Sequence, residues 1–510
     1  MTIERSSAIV APGLGHRSAV AFSWGALTSI VKVVLTVMVQ AVLARLLGPQ
    51  EFGLFAIGIL IMGIAGYFAD SGLATSLIQR RQVHDADIRF VLTLNLVTAT
   101  VVCGLLIGLA EPIAISFGKP EAENIFRWLA PVFVLNAMAS VSISLLRRQL
   151  DYRSIQLADL AGYTLGFGLV GIVAAAIFGS VYALVAAYIC QALIALILLY
   201  RKTRHSIGLS LRASDRSDFI GFGANILTTN LVNWVASSLD RLIVGRLFSS
   251  ATLGHYSASF NLVYSPVGVL YANLQSTVFS SMARMQDDRL RMQNAYLELL
   301  RAVTILFLPI FAGLYFFSGA LVLAVYGPQW GAAAPLAGPF CMIAPFVMIW
   351  ACSTPVLWNT GRRWMEWQIQ LPFMALAILV IVPAAGISIL AVAWTSAFLY
   401  LARSLLMMGL ACWVLGIGLT QAWAVVWPSI WVSVFVGVTA MIGARQLHAS
   451  SLPNVAQVLL GGLLVVGVLV LCLCLVPSVL PGMMRRYIGG LTLVVPAYLR
   501  PLLNRLIGNQ

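Results

Sequence analysis

Long apolar runs separated by short polar or basic segments fill most of this chain. A run of roughly 20 apolar residues is enough for an α-helix to cross a bilayer. The pattern predicts about fourteen membrane-spanning helices, at residues 22–46, 53–79, 88–110, 124–146, 155–178, 181–200, 219–245, 252–282, 300–325, 333–358, 366–385, 388–415, 423–443 and 455–476. We therefore expect an all-α, polytopic integral membrane protein.

A polar stripe runs along the first predicted span and returns in the seventh. In both spans its members are spaced four residues apart, as on one face of a helix. The first stripe consists of Thr28, Lys32, Thr36 and Gln40, and the same positions 201 residues later are Thr229, Asn233, Ser237 and Arg241. Lipid cannot satisfy such side chains, so both stripes must face protein or water. The pattern predicts a cavity at the interface of two repeats, as in many transporters.

The repeat also predicts how the chain is organised. An offset of 201 residues covers six predicted spans, an even number, so the two halves would enter the membrane in the same orientation as parallel repeats. We expect a six-helix lobe at 1–200, a basic cytoplasmic linker at 201–218, a second six-helix lobe at 219–417, and two extra helices with a C-terminal tail at 418–510.

Composition and charge add the topology. Hydrophobic residues make up 60% of the chain and charged residues 9%, whereas a soluble domain has about a quarter charged residues. The net charge of +14 comes from Lys and Arg that cluster in alternate loops. By the positive-inside rule, both termini are expected in the cytoplasm. The anionic inner leaflet accounts for this charge, so nucleic acid is not an expected partner.

Signatures of catalysis are absent from the sequence. There is no GxxxxGK[ST] loop for a nucleotide, no Gly-x-Ser-x-Gly, and no metal-binding spacing among the five histidines. We expect no enzyme activity, no metal and no cofactor. A membrane-embedded polysaccharide polymerase or ligase stays open as an alternative, because the absence of a motif does not exclude it.

Polar residues inside the predicted spans are the candidates for function, since a charge near the bilayer centre costs at least about 2.5 kcal/mol. Lys32 either binds an anion in a central cavity or pairs with an acid such as Asp240 or Asp70. The other candidate substrate-binding residues are Arg45, Asn233, Arg241, Arg246, Tyr256, Asn261 and Arg403. The candidate acids for ion coupling are Asp70, Asp159 and Asp240. Hydroxyls, amides and basic groups together suit a polyhydroxylated, anionic ligand.

Five segments, in this order and spacing, resemble the polysaccharide transporter branch of the MOP flippase superfamily, the Wzx-type exporters. They are Leu43–Phe55, Asp70–Arg80, Leu146–Arg153, Asp240–Arg246 and Tyr326–Trp330, and the resemblance covers roughly residues 20–420. It implies two six-helix lobes in a V-shaped bundle of the bacterial cytoplasmic membrane. The implied activity is transfer of an undecaprenyl-pyrophosphate-linked oligosaccharide from the cytoplasmic to the periplasmic leaflet by alternating access.

The resemblance also implies roles and partners. Lys32, Arg45, Arg241 and Arg246 would meet the pyrophosphate, and coupling to protons or sodium ions is common in the superfamily. Membrane lipids and a polymerase or other export machinery are the expected partners. A multidrug-type cation antiporter of the same superfamily is the alternative transporter; it would need acidic rather than basic cavity residues.

Overall fold

The computed structural model describes residues 13–70, 74, 77, 83–149, 151–210, 216–450 and 452–476, with only the backbone described at 13–30, 68–70 and 216–229. All regular elements in these residues are helical. In chain order the α-helices are α1 (Gly13–Asp70), α2 (Asp85–Gly108), α3 (Ala110–Ser116), α4 (Ala122–Leu129), α5 (Val132–Arg148), α6 (Tyr152–Tyr163), α7 (Ile172–Phe178), α8 (Val181–Thr203), α9 (Arg216–Leu247), α10 (Ser250–Ala283), α11 (Arg289–Tyr326), α12 (Ala334–Asn359), α13 (Trp364–Ile387), α14 (Ile389–Leu415), α15 (Leu419–Ala449) and α16 (Asn454–Leu475). A π-helical turn precedes α7 and a 3-10 turn precedes α12.

The predicted all-α membrane architecture is confirmed, although the count of fourteen spans is not. Eleven helical segments in the described residues are long and apolar enough to cross a membrane. The predicted span 22–46 and residues 53–70 of the next predicted span lie in one kinked helix, α1. The described part of α9 carries Asp240, Arg241 and Arg246. Helix α10, with 34 residues, is about 51 Å long, which is enough to span a bilayer, but it is rich in serine, asparagine and tyrosine.

The chain divides into two compact units. The first comprises Met1–Leu43, Ile61–Ile113 and Glu121–Thr228, and the second comprises Ala44–Leu60, Ala114–Pro120 and Thr229–Gln510. In the first, α5, α6 and α8 share a core that includes Ala139, Ala158 and Leu196. In the second, α15 and α16 pack on α11 around Phe317. The two C-terminal helices are therefore an integral part of the second unit.

Helix α1 breaks at a Gly-Pro-Gln sequence, and a second Gly-Pro-Gln sequence ends α11. Gly48 and Gly327 adopt nearly the same backbone conformation, with φ/ψ of 77°/176° and 96°/177°, a region open mainly to glycine. Pro49 and Pro328 have no N–H to offer the carbonyls of Arg45 and Ala324 four residues earlier. Both ends therefore need other hydrogen-bond donors.

The two breaks supply those donors to each other. The Arg45 guanidinium donates to the carbonyls of Ala324 (2.7 Å) and Val325 (3.1 Å) at the end of α11. In return, Gln329 Nε2 donates to the carbonyls of Ala44 (2.8 Å) and Arg45 (3.1 Å), and Trp330 Nε1 donates to Ala44 (3.1 Å). This reciprocal capping explains why Ala44–Leu60 belongs to the second unit.

We expect Arg45→Ala to lower the stability of the protein by about 1–2 kcal/mol, the scale of the charge-assisted hydrogen bonds that its guanidinium donates to the end of α11. Thermal unfolding of the detergent-purified protein measures the change. Arg127→Ala is the matched control, because the partner of Arg127 in the described part of the chain is Glu123 one turn earlier, at 2.7 Å, and a surface pair of this kind contributes little. Equal melting temperatures for both variants would contradict the capping role.

Helices α1 and α10 cross in backbone contact at two glycines that the 201-residue offset relates to each other. A Cβ atom on Gly53 would collide with the carbonyl of Ser250, and one on Gly254 would collide with the carbonyl of Pro49. The offset also relates Pro49 to Ser250. The contact is therefore symmetric with respect to the sequence repeat.

The turn between α5 and α6 is fixed by an acidic N-cap. Asp151 accepts hydrogen bonds from the Ser154 backbone N–H (3.1 Å) and hydroxyl (2.7 Å), and Lys202 Nζ lies 3.8 Å from its carboxylate. Partial burial by itself would raise the pKa of Asp151, but the Ser154 hydrogen bonds and the charges of Lys202 and Arg153 hold that pKa below its ordinary value. The charged carboxylate therefore stabilises the start of α6.

Asp151→Ala is expected to reduce the free energy of unfolding by about 1 kcal/mol at neutral pH. Because the pKa in the folded state is lowered, this contribution is present above the unfolded pKa of about 4 and is lost as the pH falls through the folded value. Thermal unfolding from pH 7 to pH 3 should show wild type and Asp151→Ala converging. Asp151→Asn, which keeps a capping oxygen, is the control. A difference that does not change with pH would contradict the role of the charge.

Candidate functional site

The polar stripe predicted on α9 faces protein in the second unit. Its described members, together with their neighbours, contact side chains or carbonyls of α10, α13 and α14, and they fall into two groups. The first group surrounds Asn233, and the second surrounds Asp240 and Arg241. The side chains of Thr28 and Thr229 lie outside the described residues.

The first group is a chain of amides that links a buried acid to an arginine. Glu366 accepts hydrogen bonds from Trp358 Nε1 (2.7 Å) and from Asn233 Nδ2 (3.3 Å). Gln370, one turn further along α13, donates to the Asn233 side-chain oxygen. The guanidinium of Arg403 donates to the Gln370 side-chain oxygen. Every link joins a donor to an acceptor. The side chains in this group therefore satisfy one another's hydrogen-bonding groups within the helices.

Arg403 is the cation at the end of this chain. Its guanidinium carbon lies 4.2 Å from the centre of the Trp350 ring, a cation–π arrangement that arginine favours. Its Nε is buried and has no hydrogen-bond partner in the described residues. The Nε–H of Arg403 is therefore a buried donor that is free to bind an acceptor.

The second group surrounds Asp240. Tyr256, which is fully buried, donates its hydroxyl to Asp240 (2.8 Å) and lies 3.2 Å from the Ser396 hydroxyl. The Arg241 guanidinium donates to the Ser237 carbonyl (2.9 Å) and the Ser238 hydroxyl (3.1 Å) and covers the Phe260 ring at 4.4 Å. Arg241 Nε lies 3.8 Å from Asp240. The positive charge of Arg241 thus lies next to the negative charge of Asp240 within this group.

Lys32 lies in the first unit and forms an ion pair with Asp159 of α6. The sequence interpretation gave an ion pair with an acid such as Asp240 or Asp70 as one alternative for Lys32, and the acid that the structure pairs with it is Asp159. Asp159 entered the sequence interpretation only as a candidate for ion coupling, because it lies near the start of its predicted span. The side chains of Lys32 and Asp159 are 40% and 43% exposed, so the protein covers the pair only in part.

The remaining predicted residues are not brought into either group. Arg45 caps α11 through two carbonyls. Arg246 is exposed in the last turn of α9, and its guanidinium lies beside the turn at Gly118. Asn261 is half-buried in α10. The side chain of Asp70 lies outside the described residues. Substrate contact and ion coupling stay predictions for all the candidate residues.

Glu366, Gln370 and Trp358 are functional candidates that the sequence interpretation missed. Glu366 is the first residue of a predicted span, a position where an acid is expected at the membrane surface. The available signal was the i, i+4 spacing of Glu366 and Gln370, which puts both on one face of α13. Both are buried, with exposures of 2% and 0%. The part of the chain that the structure describes holds no group of three or more His, Cys, Asp or Glu suited to a metal ion.

Comparison with solved structures shows the fold. The lipid II flippase MurJ in an inward closed conformation superposes with a TM-score of 0.69, covering 87% of this chain and 97% of MurJ at 12% identity. At this identity the likeness establishes the fold and no more.

Comparison with curated proteins shows two relatives named for polysaccharide production. The lipopolysaccharide biosynthesis protein WzxC of Escherichia coli K12 is 22% identical over 322 residues, which cover 63% of this chain and 65% of WzxC. The match thus spans slightly less than two thirds of that relative. The succinoglycan biosynthesis transport protein ExoT of Rhizobium meliloti is 24% identical over 341 residues, covering 66% of this chain and 68% of ExoT.

A family model described as "Polysaccharide biosynthesis protein" matches residues 42–335, which is more than half of the chain. The match includes the two Gly-Pro-Gln breaks and the polar stripe of α9. The chain therefore belongs to the polysaccharide biosynthesis protein family.

Proposed function

We propose that this protein is a flippase that carries a polyprenyl-pyrophosphate-linked oligosaccharide from the cytoplasmic to the periplasmic leaflet of the bacterial inner membrane, for synthesis of a cell-surface polysaccharide. The chain belongs to a polysaccharide biosynthesis family, and a relative is named as a transport protein of the same process. Transport rather than catalysis is the function that these relatives support. Both termini are proposed to lie in the cytoplasm, by the distribution of basic residues.

The observation that carries the proposal is a set of cations and amides inside membrane-spanning helices. Lys32 is half-exposed beside Asp159. Arg403 ends the hydrogen-bonded chain that begins at Glu366, and its buried Nε has no partner in the described residues. Cationic donors bind phosphate oxygens, and amides and hydroxyls bind sugar hydroxyls. A cation antiporter would need acids without counter-charges. Asp159 and Asp240 both have basic neighbours, whereas Glu366 is held by the neutral donors Asn233 and Trp358.

A polar path is also what the proposed substrate requires. A pyrophosphate with several sugars would meet a prohibitive desolvation cost in the hydrocarbon of the bilayer. The polyprenyl chain has the opposite preference and can stay in lipid. Only the head group therefore needs a route lined by side chains such as those of α9, α13 and α14.

Coupling to protons or sodium ions is a separate proposal, and it would act through carboxylates. Asp159, Asp240 and Glu366 are three acids within the helices whose partners the structure describes. Collapsing the proton gradient and the sodium gradient in turn, while transfer between leaflets is measured, identifies the ion.

The decisive experiment is leaflet-resolved measurement of the polyprenyl-linked oligosaccharide in cells that lack this protein. We expect the lipid-linked sugar to accumulate on the cytoplasmic face and the polymer to be lost, with recovery on re-expression. Accumulation on the periplasmic face would instead place the protein after translocation, as expected for a polymerase or ligase. No accumulation, with loss of resistance to organic cations, would favour the antiporter.

A further inference from the structure

A pocket in the second unit lies between α9, α13 and α14 and has two chemically different parts. Its polar part is formed by Asp240, Ser396, Tyr400 and Arg403. Its apolar part is formed mainly by Leu239, Phe373, Met374, Ala377, Ile381 and Leu399. The apolar residues of α13 follow one another at helical spacing, so they form a strip along the helix axis. The pocket therefore places a buried cation next to an apolar strip of α13.

The polar part has one unmet hydrogen-bonding group, and that group is cationic. Asp240 accepts from the Tyr256 hydroxyl at 2.8 Å and from the Arg241 backbone N–H at 2.8 Å. Tyr400 donates its hydroxyl to the Ser237 carbonyl at 3.2 Å. Arg403 Nε is buried with no partner in the described residues. The missing partner is therefore an acceptor, and an anion in particular.

We propose that this pocket binds an anionic isoprenoid amphiphile, with a phosphate at Arg403 and the first isoprene units along the apolar strip of α13. The inference rests on the proposed function, since it assigns part of the lipid-linked substrate to a place. Inorganic phosphate offers the same acceptor oxygens without the chain, so the apolar strip is what distinguishes the two ligands.

Gln370 is the positioning residue of this site. Its side-chain oxygen accepts from Arg403 and its side-chain nitrogen donates to Asn233, whose own amide donates to Glu366 at 3.3 Å. The Trp350 ring supports the guanidinium from another side at 4.2 Å. A neutral amide fixes the guanidinium plane without placing a carboxylate directly against the positive charge, which a glutamate in the same place would do.

The test measures binding of three probes to the full-length, detergent-purified protein by calorimetry. The probes are farnesyl pyrophosphate, inorganic pyrophosphate and farnesol. We expect farnesyl pyrophosphate to bind at least about tenfold more tightly than either part alone, since each part supplies only one kind of contact. Equal affinities for farnesyl pyrophosphate and inorganic pyrophosphate would overturn the amphiphile site, and so would equal affinities for farnesyl pyrophosphate and farnesol.

Two variants test the assigned residues. Arg403→Gln should weaken farnesyl pyrophosphate binding by about tenfold or more, because a charge-assisted hydrogen bond is lost. Gln370→Glu keeps an acceptor for Arg403 but neutralises it, so it should weaken farnesyl pyrophosphate by a similar factor and leave farnesol unchanged. Arg362→Gln is the control, since Arg362 also lies over a tryptophan, Trp413 at 4.8 Å, but does not line the pocket. Unchanged binding in Gln370→Glu would reduce Gln370 to a packing role and overturn its assignment.

The two proposals can fail separately. If leaflet transfer is observed in cells but farnesyl pyrophosphate binds no more tightly than inorganic pyrophosphate or farnesol, the pocket assignment is wrong and the flippase proposal is kept. If the three probes bind as expected but no leaflet transfer is found, the binding site is kept and the flippase proposal is wrong.

Discussion

Alanine at Gly53 or at Gly254 is expected to lower the free energy of unfolding by about 3 kcal/mol or more. The added methyl group of either variant would overlap a backbone carbonyl, that of Ser250 or of Pro49. A side chain can rotate away from a clash, whereas these carbonyls belong to helices that are held from several sides. The helices α1 and α10 would have to separate, and the reciprocal caps at Ala44 and Arg45 would be strained with them.

Gly104→Ala in α2 is the matched control, because a Cβ atom there meets nothing within 4 Å. Alanine in the middle of a helix is favoured over glycine by roughly 0.5–1 kcal/mol. Gly104→Ala should therefore be neutral or stabilising in thermal unfolding, while Gly53→Ala and Gly254→Ala accumulate poorly in the membrane. Normal abundance and melting of both latter variants would show that the crossing is looser than the structure describes.

The membrane class, the helices and the register of the repeat could be predicted from the sequence. They depend on local patterns, namely apolar runs and polar residues four apart. The relation between Gly53 and Gly254 follows from the same offset of 201 residues. The backbone contact between these two glycines could not be predicted, because helix crossings depend on surfaces far apart in the chain.

Partners of charged residues were the weakest part of the sequence interpretation. Lys32 pairs with Asp159, which is 127 residues away, and no local pattern selects that acid over Asp70 or Asp240. Arg45 was interpreted as a cavity residue, and its donors reach the end of α11 instead. The capping role is indicated only by the proline that follows each freed carbonyl, a signal that requires both Gly-Pro-Gln breaks to be considered together.

The two units nevertheless build related polar contacts. Lys32 and Asn233 are equivalent in the 201-residue repeat. Lys32 contacts an acid of α6, Asp159, and Asn233 contacts an acid of α13, Glu366. In the predicted spans, these acids belong to the fifth helix of the first half and the fifth helix of the second. Glu366 therefore occupies the role that Asp159 has in the first unit, with a neutral amide in place of the ammonium group.

The consequence for Lys32 is a sharp prediction: Lys32→Ala should reduce polysaccharide export at least about tenfold and leave the amount of protein in the membrane normal. The amount of Lys32→Ala protein in the membrane is measured beside export, because the loss of Lys32 leaves Asp159 without its ion-pair partner. Export should fall because a cation that meets phosphate oxygens is lost.

The exchange variant Lys32→Asp with Asp159→Lys separates substrate binding from simple pairing. It keeps an ion pair between α1 and α6 but moves the positive charge to the other helix. We expect export to stay low in this variant, because the position of the cation decides where an anion binds. Lys202→Ala is the control, since Lys202 is 58% exposed and lies 3.8 Å from Asp151 outside the predicted spans. Export restored by the exchange would make the Lys32–Asp159 pair a structural contact and remove Lys32 from the substrate path.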